Sequence, residues 1–153
     1  MSNAVAGVLR PVPMPSTRSL RDDPVAQSFL LLRIAFTVAP ILFGLDKFVN
    51  VLTDDWTVYL SSQFNDILPG NAADAMHLVG VVEIVAGLVV AVTPRFGGLL
   101  VAGWLAGIIV NLLIVGGYGD IAFRDFGLLL GALTLARLAS VFTGDRTLRS
   151  GRA

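Results

Sequence analysis

The chain has 153 residues, 55% hydrophobic and only 14% charged, with a mean hydropathy of +0.78, too apolar for a soluble domain with a charged surface. Its 11 basic and 11 acidic residues cancel, leaving no net field to hold nucleic acid or an acidic partner. With no cysteine and a single histidine, His77, thiol exchange, iron–sulfur ligation, zinc–thiolate sites and bis-histidine haem are excluded within one chain.

Residues 1–26 carry Pro11, Pro13, Pro15 and Pro24 among Ser, Thr and Arg, a composition that breaks helices and buries no core. They are expected to form a disordered tail. Asp22-Asp23-Pro24 then reads as a helix entry, with a carboxylate as N-cap and proline just inside. Span one covers about Phe29 to Val51, the length that a ~30 Å hydrocarbon core requires at 1.5 Å per residue. Thr53-Asp54-Asp55 offers another cap. Trp56, Tyr59, Leu60, Phe64, Ile67 and Leu68 follow near helical spacing, which predicts a short amphipathic helix in the membrane interface.

Span two runs from about Ala72 to Val92 and ends at Thr93-Pro94-Arg95. Span three runs from about Phe96 to Val115 and ends at Gly116-Gly117-Tyr118-Gly119-Asp120. Span four runs from about Ile121 to Val141. Short connections make neighbouring spans antiparallel. The expected fold is therefore all-α: an integral membrane antiparallel four-helix bundle over residues 27–142, with an interfacial helix between spans one and two and a basic tail at 143–153. Arg10, Arg18, Arg21, Arg95, Arg146, Arg149 and Arg152 lie in the tails and the turn between spans two and three, whereas residues 52–71 and 116–120 carry no Lys or Arg. This bias places both termini in the cytoplasm. Gly80 with Gly87, Gly103 with Gly107, and Gly127 with Gly131 mark expected helix-packing faces.

At 100° per residue, Arg33, Thr37, Pro40, Gly44 and Lys47 fall within about 40° of one direction on span one, and Asp46 points away. Pro40 removes a helical hydrogen bond at mid-span, where a kink is expected. Glu83 lies near the middle of span two among Gly80, Ala86 and Gly87. An isolated charge there costs at least ~2.5 kcal/mol, so it must be paired or protonated. Depth counting leaves both Arg33 and Lys47 about 10 Å from Glu83, and the forked guanidinium makes Arg33 the preferred partner. Lys47, Asn111, Arg124 and Asp125 form an expected outer cluster, with Glu83 and Arg33 beneath it. These six residues are the ligand-pocket candidates; the same polar groups would serve equally to lock helix register. His77 is read as locally partnered by Asp74, and Trp56 and Trp104 as packing residues. No phosphate loop, catalytic triad or metal-ligand spacing occurs.

Leu32-Arg33-Ile34, Phe43-Gly44-Leu45-Asp46-Lys47-Phe48 and Val79-Gly80-Val81-Val82-Glu83-Ile84-Val85-Ala86-Gly87 together resemble the DoxX-like family of small four-span bacterial membrane proteins. Ile121-Ala122-Phe123-Arg124-Asp125-Phe126-Gly127-Leu128 resembles the span-four signature of an actinobacterial-type branch, and the likeness covers about residues 27–140. The resemblance implies a multi-pass protein of the bacterial inner membrane. It also implies a redox-associated accessory role, with quinone as the cofactor class and a membrane oxidoreductase as partner. A non-catalytic scaffold subunit of a larger membrane complex, or a homo-oligomer, is the alternative. Solute transport is the weaker third reading, since four spans show no inverted repeat.

Overall fold

The computed structural model describes residues 9–16, 19–66 and 70–142. Among them, one-turn helix α1 (Ser19–Asp22) leads into α2 (Pro24–Val49), followed by a 3₁₀ turn at Trp56–Tyr59 and the one-turn α3 (Ser62–Asn65). The long helices α4 (Ala72–Val92), α5 (Pro94–Val115) and α6 (Gly119–Phe142) are the remaining elements among the described residues. The helices α2, α4, α5 and α6 are each long and apolar enough to cross a membrane, so the chain is a multi-pass membrane protein with an all-α bundle fold.

Local chemistry explains the helix boundaries. Asp23 accepts the Val25 N–H at 2.9 Å and Pro24 takes the first turn, so α2 begins five residues before the apolar run at Phe29. It ends at Asn50, whose left-handed backbone (φ 52) closes the C-terminus. A capping box starts α4: Asn71 Oδ1 accepts from Ala73 and Asp74, while Asp74 accepts from the Asn71 N–H. Asp74 is thus committed to the cap, and His77 stacks on Phe48 instead, with ring centroids 5.0 Å apart. Thr93 alone joins α4 to α5, and Gly116 and Gly117, both at positive φ, shape the turn into α6.

The segment expected to form one interfacial helix is divided in two. Asn111 Oδ1 on α5 accepts the Ser61 N–H at 2.9 Å, and Leu60 is extended, so a tertiary hydrogen bond interrupts the local helix. Ile67 and Leu68 lie outside the described residues. Asp55 caps the 3₁₀ turn. Its carboxylate accepts from the hydroxyl and amide of Thr57, which hold it below the usual carboxylate range. The N-terminal stretch also departs from the expected disorder where it is described. Val12 is 3% exposed and packs in the core, and its N–H reaches the Val92 carbonyl at the end of α4. Burial of one apolar side chain outweighs local composition there. The expected tail at 143–153 lies outside the described residues.

The bundle is built as two tight pairs, α2 on α4 and α5 on α6, with looser packing between them. In the first pair a Cβ added at Gly44 would meet the Gly80 carbonyl at 2.5 Å, and one at Gly87 would meet the Thr37 carbonyl at 2.7 Å. In the second, a Cβ at Gly98 would meet the Ala132 carbonyl at 2.8 Å. Such backbone approach drives helix association in lipid, where burial from water supplies nothing. Gly103 and Gly107, expected at a packing face, point outward with nothing within 4 Å. Gly97 and Gly98, one and a half turns earlier, take that role because they lie level with the tight crossings of α4 and α6. Leu31, Ile34, Val38, Leu42 and Leu45 on α2 remain exposed, forming a lipid-facing stripe.

Gly80→Leu is expected to destabilise the protein by about 1–3 kcal/mol or more through overpacking, whereas Gly103→Leu should change stability by less than about 0.5 kcal/mol. Thermal denaturation in detergent micelles checks both.

Candidate intramembrane site

Glu83 extends from the middle of α4 and Lys47 from the last turn of α2. They meet as an ion pair, Nζ to Oε2 at 2.7 Å, with side chains 5% and 11% exposed. The pairing corrects the expectation that Arg33 is the partner, and helix register gives the reason. Gly44 packs on Gly80 and Ile84, and Thr37 on Gly87, so Glu83 lies level with about residue 42 of α2. Lys47 is then about 8 Å away in depth and Arg33 about 13 Å, at 1.5 Å per residue. Only the lysine stem spans its gap.

Arg33 is buried but serves another end of the bundle. Its Nη2 donates to the Ala91 carbonyl at 2.5 Å, and its guanidinium carbon lies 5.7 Å from the Phe29 ring centroid. Ala91 belongs to the last turn of α4, where carbonyls lack helical partners and the helix dipole favours a cation. Arg33 is thus a C-terminal cap for its neighbour.

The outer cluster separates in the same way. Asn111 donates to the Tyr59 carbonyl and accepts from Ser61, anchoring the loop above the bundle. Arg124 is 69% exposed at its side chain and lies 3.6 Å from Asp125, whose side chain is 10% exposed. Of the six candidates, only Lys47 and Glu83 are brought into direct contact with each other across two spans, and Arg124 pairs with its own neighbour Asp125.

Two further residues complete the roof of the ion pair. Trp56 places its ring face 4.1 Å from Lys47 Nζ and donates its indole N–H to Asp46 Oδ2 at 3.0 Å. Asp46 also accepts the N–H groups of Val51 and Leu52, each at 2.9 Å, holding the turn after α2. Asp46 and Lys47 leave the helix in different directions, as the helical wheel predicts, and one tryptophan bridges them. The cation–π contact stabilises a desolvated ammonium by about 2 kcal/mol. Nothing in the spacing of Asp46 and Trp56, which lie on separate elements, signals this contact.

Beneath the ion pair lies a cavity of about 300 Å³. Phe36, Pro40 and Phe43 of α2, Ala86 of α4, Val101, Leu105 and Ile108 of α5, and Gly131 of α6 give it apolar walls. Glu83 is its one charged lining residue, and Trp104 lies beside it. Trp104 Nε1 is buried beside the Glu83 carboxylate and, among the described residues, lies outside strict hydrogen-bond geometry. Trp104, expected only to pack, is thus a donor at the wall of the cavity. Pro40 has no N–H to offer the Phe36 carbonyl, which leaves a helical acceptor unused near the same space. Among the described residues no group of three or more His, Cys, Asp or Glu could hold a metal ion.

Removing one partner of a buried ion pair strands the other charge and costs about 3–5 kcal/mol. Lys47→Met should show a loss of that order, and Lys47→Met/Glu83→Gln should recover at least half of it, because no full charge then remains unpaired. Thermal unfolding of the two single variants and the double variant measures the coupling. No family model, no curated protein and no solved structure matches this chain.

Proposed function

We propose that this protein is a redox-associated accessory protein of the bacterial cytoplasmic membrane that holds a quinone, or a similar lipid-soluble molecule, in the cavity beside Glu83. The observation that carries the reading is a largely apolar cavity of about 300 Å³ at mid-bundle, bounded by one paired carboxylate and a buried indole N–H beside it. Apolar walls with few placed polar groups characterise small-molecule sites. A quinone presents carbonyl acceptors and its reduced form presents hydroxyl donors. Trp104 Nε1 serves the first and the Glu83 carboxylate the second, with Lys47 balancing the charge. The resemblance of residues 27–140 to the DoxX-like family supports the redox association, and the basic residues of the tails and of the α4–α5 turn support cytoplasmic termini.

A scaffold role in a larger membrane complex is favoured by one observation: Gly103 and Gly107 lie on an outward face of α5 with open space around them, where a helix from another chain would approach closely. The polar residues would then only fix the bundle. Capture of a membrane-protein partner by crosslinking in native membranes, with no ligand in the purified protein, is the result that reading requires.

For the quinone reading, lipid extracts of protein purified in mild detergent should contain quinone in near-stoichiometric amount, read by mass spectrometry. Glu83→Gln should weaken binding of an added short-chain quinone by about tenfold, one lost charge-assisted hydrogen bond. An empty extract, together with unchanged binding in Glu83→Gln, overturns the reading.

A further inference from the structure

We infer that the cavity opens sideways into the bilayer between α2 and α6, and that its occupant is an amphiphile whose ring-sized head lies beside Glu83 while its hydrocarbon tail leaves through this opening. The inference rests on the ligand-site reading above and specifies the chemistry and the route. The helices α2 and α6 belong to different tight pairs and pack only loosely on each other. Along that seam, residues that line the cavity are also exposed on the outside of the bundle: Ala35, Ala39 and Phe43 on α2, Gly127 and Leu128 on α6. A side chain that faces both an interior cavity and the exterior marks its mouth.

The mouth is kept wide by residue size. Ala39 lies on α2 near the level of Gly127 on α6. A Cβ built on Gly127 meets nothing within 4 Å, whereas one on Gly131, a turn deeper, comes within 3.1 Å of the Phe36 ring. The opening therefore lies at the level of Gly127, and Phe36 and Gly131 close it below. A tight seam would have placed side-chain or backbone atoms against Gly127, as it does at Gly44, Gly80 and Gly98.

Volume then constrains the ligand. About 300 Å³ is the lower end of the range of small-molecule pockets, roughly 300–1,000 Å³, enough for a ring head and too little for a long chain as well. The mouth is apolar and faces the hydrocarbon layer, so the tail loses no solvation by remaining there. The head meets Glu83 and the Trp104 N–H at the inner wall.

The protein has two tryptophans, so Trp56→Phe leaves Trp104 as the single reporter and keeps an aromatic ring near Lys47. Reconstituted into vesicles of phosphatidylcholine brominated at mid-chain, this variant should show strong quenching of Trp104. Adding Gly127→Leu, or Ala39→Leu from the other side of the mouth, should remove at least about half of that quenching by separating indole from lipid. Gly127→Leu should also weaken binding of a decyl-tailed benzoquinone by about tenfold more than it weakens binding of the tailless ring. Quenching that neither substitution reduces, or equal effects on tailed and tailless rings, overturns the portal. Lipid quenching blocked by Gly127→Leu, with no benzoquinone bound in either form, leaves the portal standing and refutes the quinone reading instead.

Discussion

The backbone crossing of α2 and α4, where Gly44 and Gly80 leave no room for a Cβ, is the constraint on which the remaining structure depends. Helices in lipid gain little from burying apolar surface against each other, so close approach through glycine supplies dispersion contacts and sets relative depth. That depth decides which cation reaches Glu83. A slip of one helical turn, about 5.4 Å, in the direction that withdraws Lys47 would widen its gap to about 13 Å and narrow that of Arg33 to about 8 Å, exchanging the two cations.

With register set, the polar residues of α2 divide their work between the two ends of the bundle. Lys47 neutralises Glu83 at one level, and Arg33 satisfies the end of α4 at another. Trp56 covers the first pair while its N–H ties Asp46 and, through it, the turn after α2. This roof closes the site from the loop side, and the bilayer side stays open along the loose α2–α6 seam. A buried ion pair that only locked register would be covered by side chains all round. Here the carboxylate borders unfilled space on the side away from Lys47.

The fold class, the four spans, the helix entry at Asp23-Pro24 and the burial of Glu83, Lys47 and Asp125 away from lipid were legible from residue type and spacing. These follow from local rules: a span needs a fixed apolar length, a cap needs an oxygen before the first turn, and a mid-membrane charge needs a partner. The outward direction of Gly103 and Gly107 was not legible, because a small-residue spacing is the same whichever neighbour it faces. Nor was the break in the interfacial helix, since its cause is Asn111, fifty residues away on α5.

The sequence by itself determined a four-span bundle and which residues could not be left alone in a membrane. Only the tertiary structure decided that Lys47 and not Arg33 meets Glu83, that Trp56 bridges Asp46 to that pair, and that Trp104 borders a cavity. The physical reason is that composition fixes the cost of burying a charge within one helix. The partner that offsets the cost depends on the relative depth and rotation of two helices, set by backbone contacts that no single segment encodes.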